Sequence, residues 1–238
     1  MSDIADAASH ALNLLAELDP ALLGIVRLSL VVSVSASVAA AVVGLPVGAA
    51  LAVFRFPGRS LVITLVNALL GLPPVVVGLA LYLLLSRSGP LGIAGLLFTP
   101  AAMVLAQFLL ALPIVAALSH RAMTGVWQEY GDQMQMDGLT RTRALVHILS
   151  IGRLGALTAT LAGFGRTISE VGAILIVGGN IAGFTRTMTT AITLETSQGN
   201  FALALALGAV LIAISITVSG FAFWIEARIR RPASPEIA

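Results

Sequence analysis

Arg166 and Glu170 are opposite charges four positions apart inside an apolar run, a spacing that brings both side chains to one face of a helix where they can pair. A guanidinium at mid-bilayer costs about 2.5–3.5 kcal/mol on insertion scales, so neither group is expected to face lipid. Two roles suit such a pair. The arginine can offer transient positive charge to a passing dianion while the glutamate tempers its hold, or the pair can lock one helix against its neighbours. A second group of polar residues follows. Gly178, Gly179 and Asn180 can bring backbone amides together, and these, with the hydroxyls of Thr185, Thr187, Thr189 and Thr190, suit an oxyanion. With Arg186 and Glu195 alongside, the same segment can instead shape a gate or a docking surface for an external protein. Residues 187–196 have the propensity for a short re-entrant helix, with Ala191, Ile192 and Leu194 partly buried.

Other chemistry finds little support. His10, His120 and His147 are scattered without metal-ligand spacing, cysteine is absent, and no metal site or cofactor is expected. No Gly-Lys-Ser/Thr loop occurs, so the chain is not expected to bind ATP itself. An intramembrane enzyme using Glu170 as acid or base and Arg166 as an anion clamp lacks a second catalytic group at a sensible depth. A structural scaffold gives no reason for two charges in mid-span.

The elements that must position these groups are membrane spans. Hydrophobic residues make up 58% of the 238, charged residues only 10%, and mean hydropathy is +1.01, against roughly 25% charged in a soluble domain. An all-α integral membrane protein with about five transmembrane helices is expected: Leu28 to Phe54, Leu61 to Leu85 interrupted at Gly71, Pro73 and Pro74, Leu96 to Leu118, Leu157 to Val177, and Phe201 to Ile225. Residues 1–24 read as an external or interfacial leader with Ala8, Leu12, Leu15 and Leu18 near one face, residues 25–226 as the transmembrane domain, and 227–238 as a cytoplasmic tail. All thirteen basic residues are arginine. Arg55, Arg59, Arg121, Arg141, Arg143, Arg153, Arg228, Arg230 and Arg231 fall on one side of a five-span layout, and Arg27, Arg87 and Arg186 on the other. The positive-inside rule then puts the N-terminus outside, the C-terminus in the cytoplasm, and the one long polar stretch, Trp127 to Arg153, on the cytoplasmic side.

Within that stretch Asp132, Gly138 and Ile148 keep the spacing of the coupling motif in permease subunits of ABC importers, although Gln133 and Met134 replace the usual small residues. A helix halted at Gly138 and a second one capped by Thr140 would make a compact knuckle. Gly71 to Gly78 with Gly89 to Gly92, and Gly165 to Gly172 with Gly178 to Asn180, resemble molybdate- and sulfate-type permeases. Phe184 to Gly208 is similar to tungstate-specific permeases. The resemblance implies the type I ABC importer permease fold in a bacterial or archaeal inner membrane. It further implies a homodimer enclosing one pathway, a cytoplasmic ATPase dimer, an external oxyanion-binding protein, surrounding lipid and no nucleic acid. It gives Leu139, Leu145, Val146 and Ile148 apolar contact with the ATPase, and Asp132, Asp137, Arg141 and Arg143 its orientation. The cargo it implies is tungstate, with molybdate or sulfate as the alternative.

Overall fold

The computed structural model describes residues 9–14, 16–17 and 19–229, and among these every regular element is helical. Helix α1, Pro20–Val53, begins where the Asp19 carboxylate accepts from the amides of Ala21 and Leu22 at 2.8 and 3.0 Å and Pro20, with no amide to leave orphaned, takes the first helical position. Its 34 residues extend roughly 50 Å, so the expected span from Leu28 is part of a longer helix and the boundary at residue 25 falls inside it. Before it, residues 9–14 are helical, whereas Ala8, Leu15 and Leu18 of the expected apolar face lie outside the described residues, as do Arg230 and Arg231 of the tail.

The second span is broken as the prolines predict. α2, Arg59–Ala68, passes through a 3-10 turn at Leu69–Gly71, and α3, Pro74–Leu85, leaves at 100° to it. The third departs from expectation. α4, Pro100–Met136, starts at a Thr99 cap and does not stop near Leu118 but runs unbroken for 37 residues, so the first half of the polar stretch is helix. Nothing between Leu118 and Met136 breaks a helix, since Gly125 and Gly131 only lower propensity. α5, Arg141–Ile151, turns by 76° into α6, Arg153–Ile168. The expected fourth span, Leu157 to Val177, is likewise corrected: it divides at Ser169–Val171 into α6 and the short α7, Gly172–Gly178. α8, Met188–Ser197, and α9, Phe201–Ile229, complete the chain. Among the described residues three helices are long and apolar enough to cross a membrane, and up to five crossings result when each bent pair counts as one.

α1 and α4 form the central pair, with α6 packed on both, α3 on α7, and α8 on α9. Small residues let the central backbones touch: a Cβ on Gly48 would stand 2.6 Å from both the Ala116 oxygen and the His120 nitrogen. The Ser119 hydroxyl donates to the Leu45 carbonyl at 3.0 Å beside it. At the end where α1 finishes, Arg59 Nε donates to the Leu51 carbonyl at 2.7 Å and Arg121 Nη2 to Asn67 Oδ1 at 2.9 Å, tying α2 to the pair.

Candidate functional site

The Arg-rich end carries the knuckle. α4 stops because Gly138 takes φ +78, and the Gly138 amide donates to the Gln135 carbonyl at 3.1 Å and the Leu139 amide to Met134 at 3.0 Å, which satisfies two orphan carbonyls. Thr140 then caps α5, accepting from the Arg143 amide at 3.5 Å. One face of α5 turns inward: Ala144 is buried, and Ile148 is fully buried against Ala49, Ala52, Val53 and Met123, with Leu145 and Leu149 at the edge. Ile148 therefore anchors the knuckle to α1 and α4 and offers no surface to a partner. The free face shows Asp132, Asp137, Arg141, Arg143, Met136 (80% exposed) and Val146 (70%), with Gly138 exposed and Leu139 half-buried.

The intramembrane pair forms across a helix end. Arg166 Nη1 lies 3.0 Å from Glu170 Oε2, with the arginine side chain 31% exposed and the glutamate 3%. Glu170 sits in the break after α6, where Oε1 accepts from the Ala173 amide at 3.1 Å and so caps α7. Its carbonyl accepts from Thr189 Oγ1 at 2.7 Å, which fastens α8 to the same point. A polar seam lies alongside. Ser37 Oγ and Thr167 Oγ1 are 2.9 Å apart, and Gln107 Nε2 donates to the Thr167 carbonyl at 2.9 Å. Ser29 Oγ accepts from the Met188 amide at 2.7 Å. Ser29, Ser33 and Ser37 recur every fourth residue, a spacing that marks one helix face and could have revealed the seam from sequence. On its far side α6 leaves Thr158, Ala162 and Gly165 exposed and Ser169 just past its end continues them, a row of small residues with Arg166 beside it.

The threonine-rich segment differs from the exposed loop expected of it. Thr185, Thr187, Thr189 and Thr190 are all buried, and their hydroxyls are spent internally. Thr185 Oγ1 donates to the Gly178 carbonyl at 2.6 Å and accepts from the Ile181 amide, while Thr187 and Thr190 make a reciprocal cap on α8. The Gly179 amide completes the end of α7 on Leu175, so no open cluster of amides forms. Gly179, at φ +70, packs so closely on Phe98 that a Cβ would stand 2.9 Å from its ring. Asn180 Nδ2 reaches the Thr190 carbonyl at 3.4 Å, leaving Oδ1 buried without a partner among the described residues. Glu195 Oε1 lies 3.6 Å from Arg186 Nη1, and Oε2 accepts from Asn200 at 2.8 Å. The short helix read into residues 187–196 is present, with Ala191 fully buried and Ile192 and Leu194 half-buried.

Broken spans, a buried ion pair at one break and a projecting helical knuckle together define a polytopic membrane permease. The chain belongs to the binding-protein-dependent transport system inner membrane component family, whose profile matches residues 44–231. It has the type I ABC importer permease fold and is a transport component, not an enzyme. Over 203 residues it is 45% identical to a probable anion ABC transporter permease protein of Haloferax volcanii, covering 83% of this chain and 88% of that one. It is 37% identical to the tungstate uptake system permease protein of Peptoclostridium acidaminophilum, covering 95% of this chain and 99% of the relative. Its counterpart in Campylobacter jejuni is 40% identical over 70% of each chain. Permeases of molybdenum and sulfate systems are more distant.

Proposed function

We propose that this permease forms, as a homodimer, the translocation pathway of an ATP-driven tungstate importer. In this reading the N-terminus lies outside, an external binding protein delivers the dianion, and two cytoplasmic ATPases drive its passage. The observation that carries it is the row Thr158, Ala162, Gly165 and Ser169, exposed along α6 and at its end beside the partly exposed Arg166. A lipid-facing helix would place large apolar residues there. Small residues and one tempered positive charge suit a water-filled path for a dianion, because Glu170 keeps the guanidinium from holding the ion. The cargo rests on the nearly full-length likeness to the tungstate permease of Peptoclostridium acidaminophilum.

At the knuckle, Met136, Leu139 and Val146 supply apolar contact to an ATPase, while Asp132, Asp137, Arg141 and Arg143 set its orientation around Gly138. At the opposite end, Gly178 to Glu195 shapes the outer gate and the binding-protein surface through its fold, since its threonines are inside it. Membranes containing the permease, its ATPase and its binding protein should accumulate labelled tungstate in an ATP-dependent manner, with molybdate and sulfate as weaker competitors. Uptake in which sulfate or molybdate outcompetes tungstate reassigns the cargo, and failure to copurify with any ATPase removes the mechanism.

A further inference from the structure

At the end opposite the knuckle, a groove of about 500 Å³ opens between the first turns of α1 and residues 182–186. Two guanidiniums line it, Arg27 from α1 and Arg186 from the facing segment, and among the described residues no carboxylate does. Arg27 is exposed and has no carboxylate or carbonyl partner among the described residues. Arg186 is only loosely matched: Nη1 stands 3.6 Å from Glu195, whose other oxygen Asn200 occupies, and Nε is buried with no acceptor among the described residues. The first amides of α1 are already taken by Asp19, so the positive character of the groove comes from the two side chains. Below the arginines the wall is apolar, formed by Leu28 and Val31 on α1 and Phe184 opposite. Arg27 to Val31 spans about 6 Å along the helix, so apolar surface lies within about one turn of the charge.

We propose that Arg27 and Arg186 form a binding site for a tetrahedral oxyanion group. Guanidinium forks match such a group in charge and geometry, and among the described residues neither is engaged by a carboxylate closer than 3.6 Å. One source is the phosphate of a phospholipid whose acyl chains begin on Leu28 and Val31; the other is a free dianion. The site needs neither the cargo nor the ATPase coupling proposed above, and depends on the proposed orientation only for which leaflet it faces.

The full-length permease, purified in detergent and stripped of lipid, tests this in two arms. Native mass spectrometry counts phosphatidylglycerol retained per chain, and calorimetry measures binding of inorganic tungstate and phosphate. Arg27→Gln/Arg186→Gln should weaken at least one of the two by about tenfold, and Arg27→Gln alone, at an exposed position whose loss does not threaten folding, by about threefold. Loss confined to the lipid arm assigns a headgroup; loss confined to the other assigns a free oxyanion. Absence of binding in the unaltered protein, or binding that neither variant changes, overturns the proposal.

Discussion

Glu170 does three jobs with one side chain and its own carbonyl: it neutralises Arg166, caps α7 and accepts from Thr189 on α8. Glu170→Ala removes the first two, leaving a guanidinium two-thirds buried without a counter-charge and an α7 amide without an acceptor. The expected cost is about 1–3 kcal/mol, discounted for the exposure of Arg166, and is read as a lower midpoint of thermal unfolding in detergent. Arg166→Gln keeps the cap and should cost less stability while reducing tungstate uptake; unchanged uptake with an intact complex excludes Arg166 from the pathway. The pair itself is legible in the sequence, because two charges at helical spacing in an apolar run leave few alternatives. The break between them is not, since Ser169, Glu170 and Val171 contain no proline or glycine, and the tertiary bonds from Thr189 and Gln107 decide where α6 ends. The threonines mislead for a related reason: a hydroxyl bonded inside its own segment reads the same as one offered to a ligand.

Among the elements, α5 divides its labour between two faces, and substitutions should separate them. Ile148→Ala opens a cavity beneath the knuckle and should destabilise the permease by about 2–5 kcal/mol, seen in thermal unfolding. Val146→Asp, on the exposed face, should leave that midpoint within a degree or so yet reduce recovery of the ATPase on affinity purification. Equal recovery would detach this face from the partner. Asp132→Arg with Gly138→Pro should abolish uptake while the chain still accumulates in the membrane, since a proline cannot take the left-handed backbone of residue 138. Normal uptake in that variant would sink the coupling role. The Gly138 and Thr140 stop and start signals are readable without a structure. What is concealed is that the helix halted at Gly138 is the same one that forms the third span, because nothing between Leu118 and Met136 marks where the apolar helix passes into a polar one.

For the molecule as a whole, the separation of Arg55, Arg59, Arg121, Arg141 and Arg143 from Arg27 and Arg186 predicts its orientation in the membrane. A reporter that works only in the cytoplasm, fused after residue 238, should be active, and one fused at the N-terminus silent. The number of crossings follows from apolar length alone, whereas the 76° turn between α5 and α6 depends on Gly152 nesting against Met123, a contact formed only once the helices have assembled. The pairing of α1 with α4 is not confined to Gly48 and Ser119: Val32 shares a buried cluster with Ala102 and Met103, Ala40 one with Ala111 and Val115, and Ala52 one with Met123. Two helices joined along so long a seam form one stiff beam, and a push on the knuckle should reach the Pro100 end as a movement of the pair together.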